Sequence, residues 1–282
     1  MMAFGLELDV KRTSELFCAP DADVSFLSSD NVIFKLHSTY FKATSEILEA
    51  PEDSFFGDEA APLPECAKVL EILFQFIEPP SGRTNYHQPS VVDLDKNLFF
   101  DLAEAAEKYM VYGAMNTCLT RMTTMVHWDS FRVLNYAARH GYKKLADDAA
   151  ESCLENINAI KEAVSKLTAP GILPQWILYY NMWKKTGAQA TEIFANSLNS
   201  NSACHVWPRL YATYLRAINT SPSRVHSRLY HKLEDHIKPC KIKGCDCHST
   251  AVNSDNPKTR QWTEQIRMLD ENMPKFSSVL NW

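Results

Sequence analysis

Residues 21–48, DADVSFLSSDNVIFKLHSTYFKATSEIL, constrain the fold more than any other part of the chain. Val24 and Phe26, continuing toward Ser28, alternate with polar or smaller neighbours, the period-2 pattern of a half-buried strand. Ser28-Ser29-Asp30-Asn31 is a run of short polar side chains that bond their own backbone and favour a turn. Val32-Ile33-Phe34-Lys35-Leu36 is the β-branched, apolar return strand. From about Ser38 the period becomes helical, with Tyr40 or Phe41, Thr44, Ile47 and Leu48 recurring on one side. A hairpin that feeds directly into an amphipathic helix makes a local folding nucleus.

The stretch after it reads as a helical layer over that nucleus. Residues 52–64 are acidic and proline-bearing, a loop with room for one short strand, where Phe55 and Phe56 either tuck under the loop or face a partner. Pro64-Glu65 opens a helix, because proline is tolerated in a first turn and an early acid suits the dipole. Val69, Ile72, Leu73 and Phe76 form its buried stripe, and Pro79-Pro80 stops it. After the turn-rich loop 81–89, Asp95 or Asn97 begins the next helix, with Leu98, Leu102, Ala105 or Ala106, and Tyr109 on one face. This helix breaks at 110–113 and resumes over 114–125.

Asp23-Val24, the tetrad Phe34-Lys35-Leu36-His37 and the downstream Ser45 resemble the opening of a BTB/POZ domain. Leu70-Glu71-Ile72-Leu73-Phe74-Gln75-Phe76-Ile77 followed by Glu78-Pro79 is similar to the central helix of that family. Residues 98–122, with Ala105-Ala106 and Lys108-Tyr109, are similar to its next helix pair, in the manner of the large fungal BTB group. The resemblance implies an α+β fold: an N-terminal small β-sheet flanked by helices, followed by an all-α extension. It assigns structural roles to Asp23, which lines the dimer-side pocket, to His37, which caps the turn into the helix, and to Ser45. It also implies that residues 1–20 form an N-terminal arm of the kind that swaps onto a partner in a dimer. Phe4, Leu6, Leu8 and Val10 at period 2 fit an added strand or docking arm, and a frayed terminus equally well. Relatives that regulate transcription carry a basic residue after the histidine, paired with the buried acid. Ser38 stands there in this chain, which weakens the case for a charged corepressor pocket.

With 282 residues the chain exceeds one typical domain, and the BTB region is expected at 21–125. Residues 126–195 read as short helices paired by brief turns, similar to a shortened BACK-type extension. Asp129-Ser130 signals a helix start, Phe131, Leu134 and Ala138 run at helical spacing, and Gly141 is a C-cap. Helical patterns continue over 145–157 and 160–167, and Pro170-Gly171 closes the set. A further helix over 174–185 carries Trp176, Tyr179, Tyr180 and Trp183 on one side, a core face or a partner groove. Residues 196–202, NSLNSNS, are the best linker, and 196–282 form a C-terminal helical region with a Cys/His cluster.

That cluster is the one constellation with metal chemistry. Cys240, Cys245, Cys247 and His248 lie on a Lys/Gly loop, and Cys204 or His205 offers a further ligand from an earlier helix start. Thiolate and imidazole are the ligands zinc prefers, so a structural zinc pinning a C-terminal hairpin is one reading. Reduced cysteines in a loose loop are the other, since C-x-C chelates less well than C-x-x-C and the spacing fits no standard finger. His226, His231 and His236 do not share a helical face and read as surface residues.

Apolar residues at 45% supply a sizeable core, and a net charge of −5 disfavours binding to a phosphate backbone, so no nucleic-acid partner is expected. There is no G-x-G-x-x-G, P-loop, H-E-x-x-H or G-x-S-x-G motif, and an Asp23/His37 acid–base pair is a weaker reading than a structural one. No stretch reads as a signal peptide or a membrane span, and the 8 cysteines are expected to be largely unpaired in the cytoplasm or nucleus. The leading expectation is a non-catalytic protein–protein interaction module that self-associates, as a homodimer, or recruits partners. A cullin-type ubiquitin ligase substrate adaptor is the alternative. It needs a substrate-reading domain and favours an apolar-x-Glu motif, which Ile47-Leu48-Glu49 fits only weakly. A transcriptional regulator is the third reading, and it lacks a DNA reader.

Overall fold

The computed structural model describes residues 11–45, 60–82, 86–156, 158–197, 212–213, 215–216, 255 and 257–280. Within them the order is β1 (Arg12–Cys18), β2 (Val24–Leu27), β3 (Val32–Leu36), α1 (Ser38–Thr44), β4 (Ala61–Pro62), α2 (Ala67–Gln75), α3 (Lys96–Lys108) and α4 (Tyr112–Met125). There follow α5 (Ser130–Arg139), α6 (Lys143–Cys153), α7 (Ala159–Lys166), α8 (Ile172–Ser197), α9 (Pro257–Glu271) and α10 (Phe276–Val279). The chain is thus mixed α+β, a small sheet first and helices after it. It divides into two compact units, Met1–Thr124 and Met125–Trp282.

The expected hairpin is present, with β2 and β3 antiparallel in the register Val24↔Leu36, Phe26↔Phe34. Its turn is built from side-chain chemistry. The Ser28 hydroxyl accepts the Val32 N–H at 2.9 Å, and Asn31 adopts a left-handed φ of 63°, which asparagine tolerates better than most residues. The sheet order is β1-β3-β2-β4, with both outer strands parallel to their neighbours. Strand β1 lies inside the expected N-terminal arm, and it pairs with β3 of its own chain. Its register shifts between Thr13 and Cys18, where the Ser14 hydroxyl accepts the N–H groups of Leu16 and Phe17 and replaces ladder bonds. Phe4, Leu6, Leu8 and Val10 lie outside the described residues.

Helix α2 closes over this sheet. The Phe74 ring is wholly buried, with centroids 6.0 Å from Phe17, 5.5 Å from Phe26 and 5.3 Å from Phe34. The helix starts at Ala67, not at Pro64-Glu65, because its first free N–H is capped from elsewhere: the Asp30 carboxylate of the hairpin turn accepts the Ala67 N–H at 2.7 Å. Its buried face is also wider than the expected stripe. Leu70 and Phe74 are fully buried beside Val69, Leu73, Phe76 and Ile77, whereas Ile72 is only half-buried. The helix ends at Gln75, before the prolines, in a turn where the Glu78 N–H reaches the Phe74 carbonyl at 2.8 Å. Helix α3 begins as expected at an Asp95 cap, whose carboxylate accepts the Asn97 and Leu98 N–H groups. Leu98 is half-buried, and Phe99 and Phe100 fill the interior instead. Met110, at a φ of 51°, marks the break, and α4 resumes at Tyr112, two positions earlier than the sequence pattern places it.

In the second unit α5 packs on α6 and α7, and α8 on α7 and α9. Gly141, at a φ of 78°, follows the C-cap of α5 as expected, because a left-handed residue there costs glycine nothing. The aromatic stripe of α8 is a core face. Trp176, Tyr179 and Trp183 are buried, with Trp176 edge-on to Phe131 and Tyr179 edge-on to Phe276. Helix α8 corrects two expectations. It spans 172–197, not 174–185, and so absorbs the first two residues of the supposed linker, the rest of which lies outside the described residues. Helix α10 is tied down by Asp147, whose carboxylate accepts the Ser277 N–H at 2.6 Å and its hydroxyl at 3.0 Å.

Replacing Phe74 with alanine removes the ring common to three strands and is expected to cost about 3–5 kcal/mol, whereas Ile72→Ala costs clearly less. Urea unfolding of the two variants, followed by far-UV circular dichroism, checks the order.

Candidate interaction site at the hairpin–helix junction

Where β3 hands over to α1, the backbone leaves N–H groups at the helix start without intrahelical partners. Two carboxylates brought from elsewhere in the chain fill them. Glu78, from the turn after α2, accepts the His37 N–H at 2.8 Å. Asp23, from the loop before β2, accepts the Ser38 N–H at 2.7 Å and the Ser38 hydroxyl at 2.6 Å. Negative groups at a helix N-terminus also complement its dipole. Serine therefore meets Asp23 through hydroxyl and backbone at the position where the BTB resemblance leads one to expect a basic partner. Asp23 is exposed, not buried. Burial acts to raise its pKa, but the Ser38 hydroxyl and N–H outweigh that and hold the carboxyl below its ordinary value.

His37 stands at the N-cap position of α1, but its side chain makes no cap bond to the helix. The ring points the other way. Nδ1 lies 2.7 Å from Glu78 Oε1, and Nε2 lies 3.5 Å from Asp21 Oδ1. The Glu78 side chain is 7% exposed and that of Asp21 81%, so the Glu78 contact is the stronger of the two. The Glu78 hydrogen bond raises the His37 pKa above its ordinary value, against an opposing effect of burial. Asp23 and His37 are thus held by separate partners, Ser38 and Glu78, in geometry that serves the fold.

Ser45 is buried at the end of α1, where its hydroxyl donates to the Tyr109 carbonyl at 2.5 Å. Tyr109 in turn donates its hydroxyl to Glu65 at 2.6 Å, and Lys108 meets the other oxygen of Glu65 at 2.7 Å. Burial, then Glu65, raises the Tyr109 pKa, so its hydroxyl stays a donor. Asp23, His37 and Ser45 are therefore fixed by Ser38, Glu78 and Tyr109 in turn, and Glu65 holds Tyr109. The two acids carry no local signal for these roles. Glu65 reads as a helix-dipole acid, and Glu78 as the residue before a helix-stopping proline pair.

Cys204, His205, Cys240, Cys245, Cys247 and His248 lie outside the described residues, as do His226, His231 and His236, Phe55 and Phe56, and Ile47-Leu48-Glu49. Among the described residues no group of three or more His, Cys, Asp or Glu side chains is placed to hold a metal ion. The described cysteines Cys18, Cys66, Cys118 and Cys153 are free thiols. Burial pushes the Cys118 thiol up to about 12, which leaves it without thiolate character at neutral pH. No helix among the described residues is long and apolar enough to cross a membrane.

Asp23→Ala is expected to destabilise the first unit by about 1 kcal/mol, the usual effect of losing a helix-capping carboxylate. The depressed pKa means that this contribution is present above pH ~4 and fades as pH falls through the folded value. Urea melts of wild type and Asp23→Ala at neutral and acidic pH check both the cost and its disappearance.

No protein-family model, no curated protein and no solved structure matches the chain.

Proposed function

We propose that the chain is a non-catalytic protein–protein interaction module built on a BTB/POZ-type domain with a helical extension. The observation that carries this reading is the order of elements around the junction. A hairpin β2–β3 runs into α1 through His37, α2 covers the sheet, and the pair α3–α4 follows. That is the order the sequence resemblance implies, and Asp23, His37 and Ser45 each sit at a joint between elements. Their side chains are consumed by structural bonds, a use in keeping with a scaffold.

The helical layers of the second unit add surface that its core does not use. Ile160 and Val164 on α7, and Leu178 and Met182 on α8, are exposed apolar side chains, the residue type from which protein contacts draw their anchors. Self-association is the first activity expected of such a module, and recruitment of other proteins the second.

Light scattering on the purified full-length chain tests the reading. The expected result is the mass of a dimer at micromolar concentration. A monomer that also captures no protein partner contradicts it, and capture of a cullin directs the function to a ligase adaptor instead.

A further inference from the structure

We propose that His37 is a proton-operated clasp: protonated at both ring nitrogens it bridges Glu78 and Asp21 and holds the start of α1 against the sheet, and loss of a proton loosens that turn. Nδ1 lies 2.7 Å from Glu78 and Nε2 3.5 Å from Asp21, so both nitrogens meet a carboxylate. Imidazolium donates from both; neutral imidazole has a single N–H and turns a lone pair toward whichever acid it does not serve. Among the described residues the charged groups that face the ring all act in one direction. Asp21 and Asp23 come from the loop before β2 and Glu78 from the turn after α2, and all are carboxylates. Tyr40 of α1 lies edge-on, with ring centroids 6.2 Å apart.

Glu78 makes the clasp consequential. Its side chain is 7% exposed, and its second oxygen accepts the His37 backbone N–H at the helix start. When the imidazole loses its charge, this buried carboxylate is left with neutral donors alone among the described residues, and burying an anion without a counter-charge is costly. The group that loses its compensation is the one that ties down the first turn of α1. Beneath that helix Phe41 is 1% exposed and packs edge-on against Phe26, with centroids 5.8 Å apart. Opening α1 therefore uncovers apolar surface on the hairpin. Pairing with Glu78 raises the His37 pKa. The stabilisation is accordingly complete below pH ~6.5, where folded and unfolded imidazoles are both protonated, and is lost as pH rises through the folded value.

Amide hydrogen exchange of the full-length chain between pH 5.5 and 9, corrected for intrinsic exchange, tests the clasp, with α3 as internal reference. Protection of residues 38–44 is expected to fall relative to α3 by about tenfold for each unit by which pairing raises the His37 pKa, at a midpoint that matches the imidazole titration seen by NMR. Glu78→Gln is expected to move both midpoints to lower pH, and Asp21→Asn to move them in the same direction by less. Protection of α1 that tracks α3 throughout overturns the proposal, and so does a midpoint that stays in place in the variants. Asp21→Asn, at an exposed position, keeps the test decisive if Glu78→Gln fails to fold.

Discussion

The first unit depends on one burial event, the insertion of the Phe74 ring between strands of different origin. A single aromatic side chain of α2 touches Phe17 on β1, Phe26 on β2 and Phe34 on β3. A buried ring of this size dominates a small core, and edge-to-face contacts add to the area it removes from water. The contacts are also selective. Phe26 and Phe34 are direct cross-strand partners, so a one-residue slip would carry one of them to the opposite face of the sheet. The hairpin register and the seating of α2 are therefore one constraint.

Polar chemistry then sets where elements begin and end. Asp30 caps α2 from the hairpin turn, Glu78 and Asp23 fill the start of α1, and Ser45 holds the end of α1 to the Tyr109 carbonyl. Each bond joins residues of different elements, so each depends on those elements having come together. Hydrophobic burial supplies most of the stability, and these bonds spare buried polar groups the cost of going unpaired. His37 differs from the other joints because it is an imidazole whose pKa the Glu78 hydrogen bond raises, so the charge that compensates Glu78 can be lost by titration.

Local chemistry was legible in the sequence, and borrowed chemistry was not. The β2–β3 turn follows from Ser28 and Asn31, which act on their immediate neighbours. The start of α3 follows from Asp95, which bonds N–H groups two and three residues on. The start of α2 does not follow, because its capping carboxylate belongs to Asp30 on another element. Strand β1 pairs in parallel with β3, a non-local match that its own alternation does not announce. The length of α8 escapes for a different reason. Gly187 is a common helix stop, yet it sits buried inside the helix, where its carbonyl accepts the Thr191 hydroxyl at 2.8 Å. At the junction, Asp23, His37 and Ser45 stood out through a resemblance, whereas Glu78, which holds His37, and Glu65, which holds the Tyr109 that Ser45 meets, had no pattern to mark them.

The central claim is that α2 seats Phe74 on an antiparallel hairpin joined by a parallel β1. Nuclear Overhauser contacts in the full-length chain, with selectively labelled phenylalanine rings, measure this directly. The account predicts cross-peaks from the Phe74 ring to Phe17, Phe26 and Phe34 together with α-proton contacts across β2 and β3. A Phe74 ring in contact with none of the three, or strands without cross-strand contacts, would contradict it.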